Sequence, residues 1–193
     1  MSAMEILAAI TPVVEAFEGL GVAYYIGGSV ASSAYGIVRA SIDADIVAEL
    51  RLEHVLPLVK QLEDEYYIDA DAVREAIRRH SSFNTIHLDT ILKFTVFIPE
   101  TRPFDQEEMH RTRQEVLAEG MRPFYMASPE GTILNKLEWY RMGGEVSDRQ
   151  WNDILGVLKV QGTALDMAYV QRWAKALQVT DLLERALVEA GMS

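Results

Sequence analysis

Cysteine is missing altogether from the 193 residues. That removes disulfide stapling and leaves no thiolate to act as a nucleophile. No uninterrupted apolar stretch approaches the roughly 18 residues of a membrane-spanning helix, so no membrane partner is expected. The opening segment MSAMEILAAITPVVEAFEGLG carries Glu5, Glu15 and Glu18 and lacks the basic flank of a secretory signal, which sets the expectation of a soluble, cytoplasmic protein. Positive charge is in short supply: 18 Lys and Arg stand against 29 Asp and Glu, a formal net charge of -11. Such a balance disfavours indiscriminate binding to a nucleic-acid backbone, although a local basic patch still accepts RNA. What is present in quantity is core-forming material. With 49% hydrophobic and 24% charged residues the chain builds one or two packed units, and the composition is neither disordered nor repetitive.

The most informative stretch runs from Tyr24 to Glu49, YYIGGSVASSAYGIVRASIDADIVAE. It reads as a short strand, a Gly-Gly-Ser turn, a small-residue helix and a second strand carrying Asp43 and Asp45. Side chains alternate along a strand, so Asp43 and Asp45 face the same way with Ala44 opposite. Two neighbouring carboxylates repel one another, and a divalent cation such as magnesium relieves that repulsion. The alternative is a solvated face on an edge strand. Gly27 and Gly28 permit backbone angles closed to other residues, Ser29 suits a helix cap, and a helix N-terminus presents amides that suit a phosphate. Arg39 reads either as an anion contact or as an ion-pair partner of the strand acids.

Gly28-Ser29 followed by Arg39-Ala40-Ser41-Ile42-Asp43-Ala44-Asp45-Ile46 resembles the motif of the nucleotidyltransferase superfamily of DNA polymerase beta type. The resemblance implies an α/β fold, a mixed-sheet nucleotidyltransferase core followed by a helical C-terminal region. It also implies that Gly28 and Ser29 contact a nucleotide triphosphate and that Asp43 and Asp45 hold Mg2+. A third carboxylate belongs on a later strand in that superfamily. The corresponding position here is Thr95, whose neutral hydroxyl is no substitute for a carboxylate base.

The periodicity along the chain predicts a helix over residues 6–17, with Pro12 kinking or restarting it, then a strand at 22–26, a helix at 30–35 and the acidic strand at 42–48. Helices follow at 52–65 and 69–79, the latter with a basic cluster of Arg74, Arg78 and Arg79 that reads as a solvated face or as a triphosphate contact. Residues 83–89 and 92–98 are adjacent strands. His87 in the first reads as structural, and Asp89 as a turn residue. A short helix at 104–110 and strand-like segments at 115–118 and 122–126 complete the core, taken as 1–126. Ser128-Pro129-Glu130 and Ser147-Asp148-Arg149-Gln150 start two helices of a helical region, 127–193, which ends with helices at 165–177 and 181–190.

Lys136 and Asp153 lie on those first two helices. A lysine offsets phosphate charge and an acid orients the lysine or a substrate hydroxyl, while surface snorkelling and an ordinary ion pair are the plainer readings. The segments from Ser128 to Lys136 and from Asp148 to Asp153 resemble the AbiEii/MenT-like toxin branch of the nucleotidyltransferases, which implies site roles for Lys136 and Asp153. It also implies RNA or protein as acceptor and an antitoxin-like protein as partner. The expected activity is therefore transfer of a nucleoside monophosphate from an NTP to a hydroxyl acceptor. The alternative is a catalytically impaired nucleotide-binding or protein-interaction module.

Overall fold

The computed structural model describes residues 3–38 and 43–192. The chain forms two compact units, residues 3–27 with 43–126 and residues 28–38 with 127–192. It is a mixed α/β architecture, with a central mixed sheet and a helical C-terminal region. Among the described residues no helix is long and apolar enough to cross a membrane.

The first unit opens with α1 (Ala3–Gly19), whose Ile6, Ile10, Val13, Val14 and Phe17 are buried at helical spacing. Pro12 sits inside this helix without ending it. Buried Ile10, Val13 and Val14 on either side hold both halves to the same core, and packing of that kind outweighs the loss of one helical N–H.

Among the described residues seven strands follow: β1 (Tyr24–Ile26), β2 (Asp43–Ala48), β3 (Tyr66–Tyr67), β4 (Ser82–His87), β5 (Lys93–Phe97), β6 (Arg113–Glu115) and β7 (Phe124–Met126). Their order across the sheet is β3-β4-β5-β2-β1-β7-β6. β2 runs antiparallel to β1 and parallel to β5, and β7 runs parallel to β1. On one face Tyr24, Ile26, Ala44, Ile46, Ala48, Phe94 and Val96 are all buried. Phe17 of α1 meets Tyr24 on that face with ring centroids 5.9 Å apart. Fully burying one such large side chain contributes about 1.5–3 kcal/mol, so the apolar parity of β2 and β5 is what fixes their register.

Helices α3 (Val55–Leu62), α4 (Ala70–Arg79) and α5 (Pro103–His110) complete this unit. Asp69 caps α4, its side chain accepting from the Ala72 amide at 2.7 Å. Tyr66 ties β3 to α1 by donating its hydroxyl to the Ala9 carbonyl at 2.6 Å. Arg122 grips both oxygens of Glu18 at 2.6 Å, and the Tyr24 hydroxyl donates to the same carboxylate at 2.8 Å.

Several elements differ from the sequence reading. Strands expected at 83–89 and 92–98 stop at His87 and start at Lys93, because residues 88–91 form a turn in which Ile91 takes a positive φ of 58°. Asp89 lies in that turn, and His87 Nδ1 sits 2.8 Å from Thr90 Oγ1. The helix expected over 52–65 is a 3-10 turn (Leu52–His54) followed by α3, and the two-residue β3 was not anticipated. The segment expected at 115–118 pairs instead at Arg113–Glu115, antiparallel to β7.

The second unit contains α2 (Gly28–Tyr35), α6 (Pro129–Met142), α7 (Asp148–Gln161), α8 (Met167–Ala176) and α9 (Thr180–Ala190). Ser128 and Ser147 cap α6 and α7, accepting from the amides of Gly131 at 2.9 Å and Gln150 at 3.3 Å. Behind α2 the backbones nearly touch. A Cβ on Gly36 would lie 2.8 Å from the Ser32 carbonyl oxygen and 2.9 Å from the Val157 nitrogen. Gln161 secures the same junction by donating to the Tyr35 carbonyl at 2.8 Å. Trp151 locks α7 to α9, its indole N–H donating to Glu189 at 2.8 Å beneath the Arg185 guanidinium.

Candidate functional site

In the first unit, β2 alternates buried and half-buried residues, and Asp43, Asp45 and Val47 are the half-buried ones. Asp43 and Asp45 therefore share the face of the sheet opposite the apolar core. The solvated-edge alternative does not describe them, since β2 is an interior strand paired on both sides. The Gly27 amide donates to the Asp45 carbonyl at 2.9 Å, so the chain enters the Gly-Gly turn directly beside the acidic strand.

The β2–β5 register places Lys93 beside Asp43 and Thr95 beside Asp45. Thr95 thus shares a row with Asp45, and it is in turn opposite Asn84 on β4. Its hydroxyl donates to the Asn84 side-chain oxygen at 3.1 Å. The row reads carboxylate, hydroxyl, amide from β2 to β4. Lys93 and Asn84 were not picked out as neighbours of the acids. Lys93 has the parity of Thr95, two residues away, whereas the place of Asn84 depends on the length of the 88–91 turn.

In the second unit, Gly28 opens α2 with a φ of 54°, a conformation that residues with a Cβ rarely adopt. Ser29 is buried within the first turn of α2 instead of preceding it as a cap. The helix begins two residues earlier than a Ser29 cap requires, because glycine supplies the entry angle.

Lys136 and Asp153 join α6 to α7, with Nζ donating to Oδ2 at 2.9 Å. Their side chains are 12% and 7% exposed, so Lys136 is a buried ion-pair partner and the snorkelling reading falls. Arg39 lies outside the described residues. The basic cluster of α4 is largely committed locally: Arg74 pairs with Asp71 at 2.6 Å and Arg79 with Glu75.

Among the described residues no group of three or more His, Asp or Glu side chains is arranged to hold a metal ion. The two half-buried carboxylates on the β2 face are oxygen donors, the kind that suits a magnesium ion retaining several waters or phosphate oxygens. One or two protein carboxylates suffice for such an ion, so Asp43 and Asp45 fit it.

The chain is similar in fold to solved structures. The antibiotic-resistance factor ANT(2'')-Ia in solution aligns over 97% of this chain and 97% of its own, with TM-score 0.57 and 16% identity. A crystal structure of ANT(2'')-Ia in complex with adenylyl-2''-tobramycin aligns over 90% of this chain and 97% of its own, with TM-score 0.59 and 14% identity.

The chain shares the fold of ANT(2'')-Ia.

An antigenic nucleotidyltransferase-like protein from Paracoccidioides brasiliensis aligns over 94% of this chain and 92% of its own, with TM-score 0.53 and 13% identity. No protein-family model and no curated protein sequence matches the chain. At these identities what is held in common is the fold.

Proposed function

We propose that this chain is an NTP-dependent nucleotidyltransferase that moves a nucleoside monophosphate to a hydroxyl acceptor. The observation that carries the reading is the placement of Asp43 and Asp45 on one half-buried face of an interior strand whose neighbour leads into the Gly27-Gly28 turn. In the transfer, an acceptor oxygen forms a bond to the α-phosphorus, the bond from that phosphorus to the α,β-bridging oxygen breaks, and pyrophosphate leaves.

Asp43 and Asp45 are assigned to hold Mg2+, which when bound offsets phosphate charge and polarises the phosphoryl oxygens. The first amides of α2, at Gly28 and Ser29, are assigned to the outer phosphates, where the N-terminal end of a helix favours negative charge. Arg39 is assigned as a further anion contact. Lys136 offsets charge on the leaving phosphates, and Asp153 orients the Lys136 ammonium, as their 2.9 Å contact supports. Thr95 supplies no base, so the acceptor proton passes to solvent or to the substrate itself.

A second reading has its own observation. With a threonine beside Asp45, already donating to Asn84, the fold can hold a nucleotide without turning it over. The toxin branch, with an RNA or protein acceptor and an antitoxin-like partner, rests on the segments at 128–136 and 148–153, and the fold likeness gives it no preference over other branches. Because ANT(2'')-Ia was captured with adenylyl-2''-tobramycin, a small hydroxylated molecule joins RNA and protein among the acceptors to be tried.

Calorimetric titration with each NTP in magnesium buffer tests the shared premise. Wild type is expected to bind at least one NTP, and the Asp43→Asn, Asp45→Asn double variant to bind it at least about tenfold more weakly. Equal affinity in the two proteins removes the acidic pair from the site.

A further inference from the structure

Thr95 and Asn84 form an uncharged pair in the row of Asp45. Thr95 lies beside Asp45 in the β2–β5 register, and Asn84 lies opposite Thr95 on β4. Their strand neighbours Phe83, Thr85, Phe94 and Val96 are buried, so Thr95 and Asn84 face the way Asp43 and Asp45 do. The Thr95 hydroxyl commits its one proton to the Asn84 side-chain oxygen at 3.1 Å. That leaves the Thr95 oxygen as an acceptor and the Asn84 amide nitrogen as a donor of two hydrogens. Asn84 is exposed and Thr95 half-buried, so a molecule lying on this face can meet both.

We infer that Thr95 and Asn84 are the subsite for the acceptor and that they select a vicinal diol. Thr95 Oγ1 accepts from the hydroxyl that attacks, and the Asn84 amide donates to the oxygen on the adjacent carbon. The inference rests on the proposed transfer and adds the chemical class of its acceptor. The 3.1 Å bond holds the Thr95 oxygen and the Asn84 amide side by side, as the two oxygens of a diol are held. With its proton aimed at Thr95, the attacking oxygen keeps a lone pair for the α-phosphorus. As that bond forms and pyrophosphate leaves, the proton passes to solvent. A lone hydroxyl, such as a protein side chain offers, meets only Thr95 and forgoes the hydrogen bond to Asn84. The diol of a free sugar or polyol and that of a terminal ribose on RNA present the same pair of oxygens.

The test uses periodate, which cleaves vicinal diols and spares isolated hydroxyls. Cell extract is oxidised with it, reduced with borohydride and desalted. Treated and untreated extracts are then supplied to wild type with each α-labelled NTP and magnesium. The untreated extract is expected to give a labelled product and the treated one to give almost none, and resolving small molecules from RNA tells a free sugar from a terminal ribose. Asn84→Ala is expected to need about five- to tenfold more untreated extract for half-maximal labelling, with its half-saturating NTP concentration and maximal rate within about twofold of wild type. A merely structural role for Asn84 would not separate those quantities. Equal labelling of treated and untreated extract overturns the inference and leaves transfer standing, as does an unchanged demand for extract in Asn84→Ala. Failure of the underlying reading looks different: untreated extract then yields no labelled product from any NTP, and the inference falls with it.

Discussion

Thr95 stands directly beside Asp45 across the β2–β5 pairing, and its hydroxyl donates to Asn84 at 3.1 Å. A hydroxyl held in this way polarises nothing strongly and takes no proton at neutral pH. Thr95→Ala is therefore expected to lower transfer by less than about tenfold, well short of the roughly 100-fold or greater loss that follows removal of a working general base. Steady-state rates with the preferred NTP and acceptor check this. A loss of the larger size would assign Thr95 a direct part in the reaction.

The Lys136–Asp153 pair makes a prediction about stability. Asp153→Ala leaves an ammonium in the interior without its carboxylate and is expected to cost about 3–5 kcal/mol, read from the midpoint of urea unfolding. Lys136→Met combined with Asp153→Leu removes both charges and recovers most of that loss. In the recovered protein, the proposed phosphate role of Lys136 predicts NTP binding weakened by about tenfold. Binding as in wild type would make the pair purely structural.

Gly36 tests the packing behind α2. Gly36→Ala sets a methyl group against the Ser32 carbonyl and the backbone of Val157, and neither is the end of a flexible side chain. A loss of about 1–3 kcal/mol is expected, seen as a lower melting temperature. Gly19→Ala, where an added Cβ meets nothing within 4 Å, is the control and should differ little from wild type.

Alkaline stability follows from Tyr66. Burial, with a smaller contribution from Glu65, pushes its hydroxyl well above the usual tyrosine range, and that hydroxyl donates to the Ala9 carbonyl. Below about pH 10 the phenol is protonated in folded and unfolded chains alike, and its contribution is fully present. Above that pH the unfolded chain releases the proton while the folded one retains it, so stability falls as pH rises. Melting temperatures between pH 8 and 11 should decline more steeply in wild type than in Tyr66→Phe, and parallel declines would count against this role.

The acids were legible because a strand's two-residue alternation needs no tertiary information: Asp43 and Asp45 had to share a face once β2 was a strand. The caps at Ser128 and Ser147 were legible for a similar reason, being local hydrogen bonds within four residues. The short β3 escaped because Tyr66 and Tyr67 are held there by β4 and by a bond to Ala9, which local propensity does not reveal. Pro12 misled in the opposite direction, since the buried residues around it override its tendency to break a helix. At the candidate site, Lys93 and Asn84 become neighbours of the acids only through register. Their importance depends on the four-residue turn at 88–91 and on β5 pairing with β2.

The most direct test of the account is transfer itself. Purified wild type and the Asp43→Asn, Asp45→Asn variant are incubated with each α-labelled NTP, magnesium and a cell extract, and labelled RNA, protein and small molecules are resolved. Wild type is expected to make a labelled product that the variant does not, with the class of product naming the acceptor. A product made equally well by the variant would contradict the assignment of the acidic pair, and nucleotide binding with no product from any NTP or acceptor class would contradict transfer and leave a nucleotide-binding module.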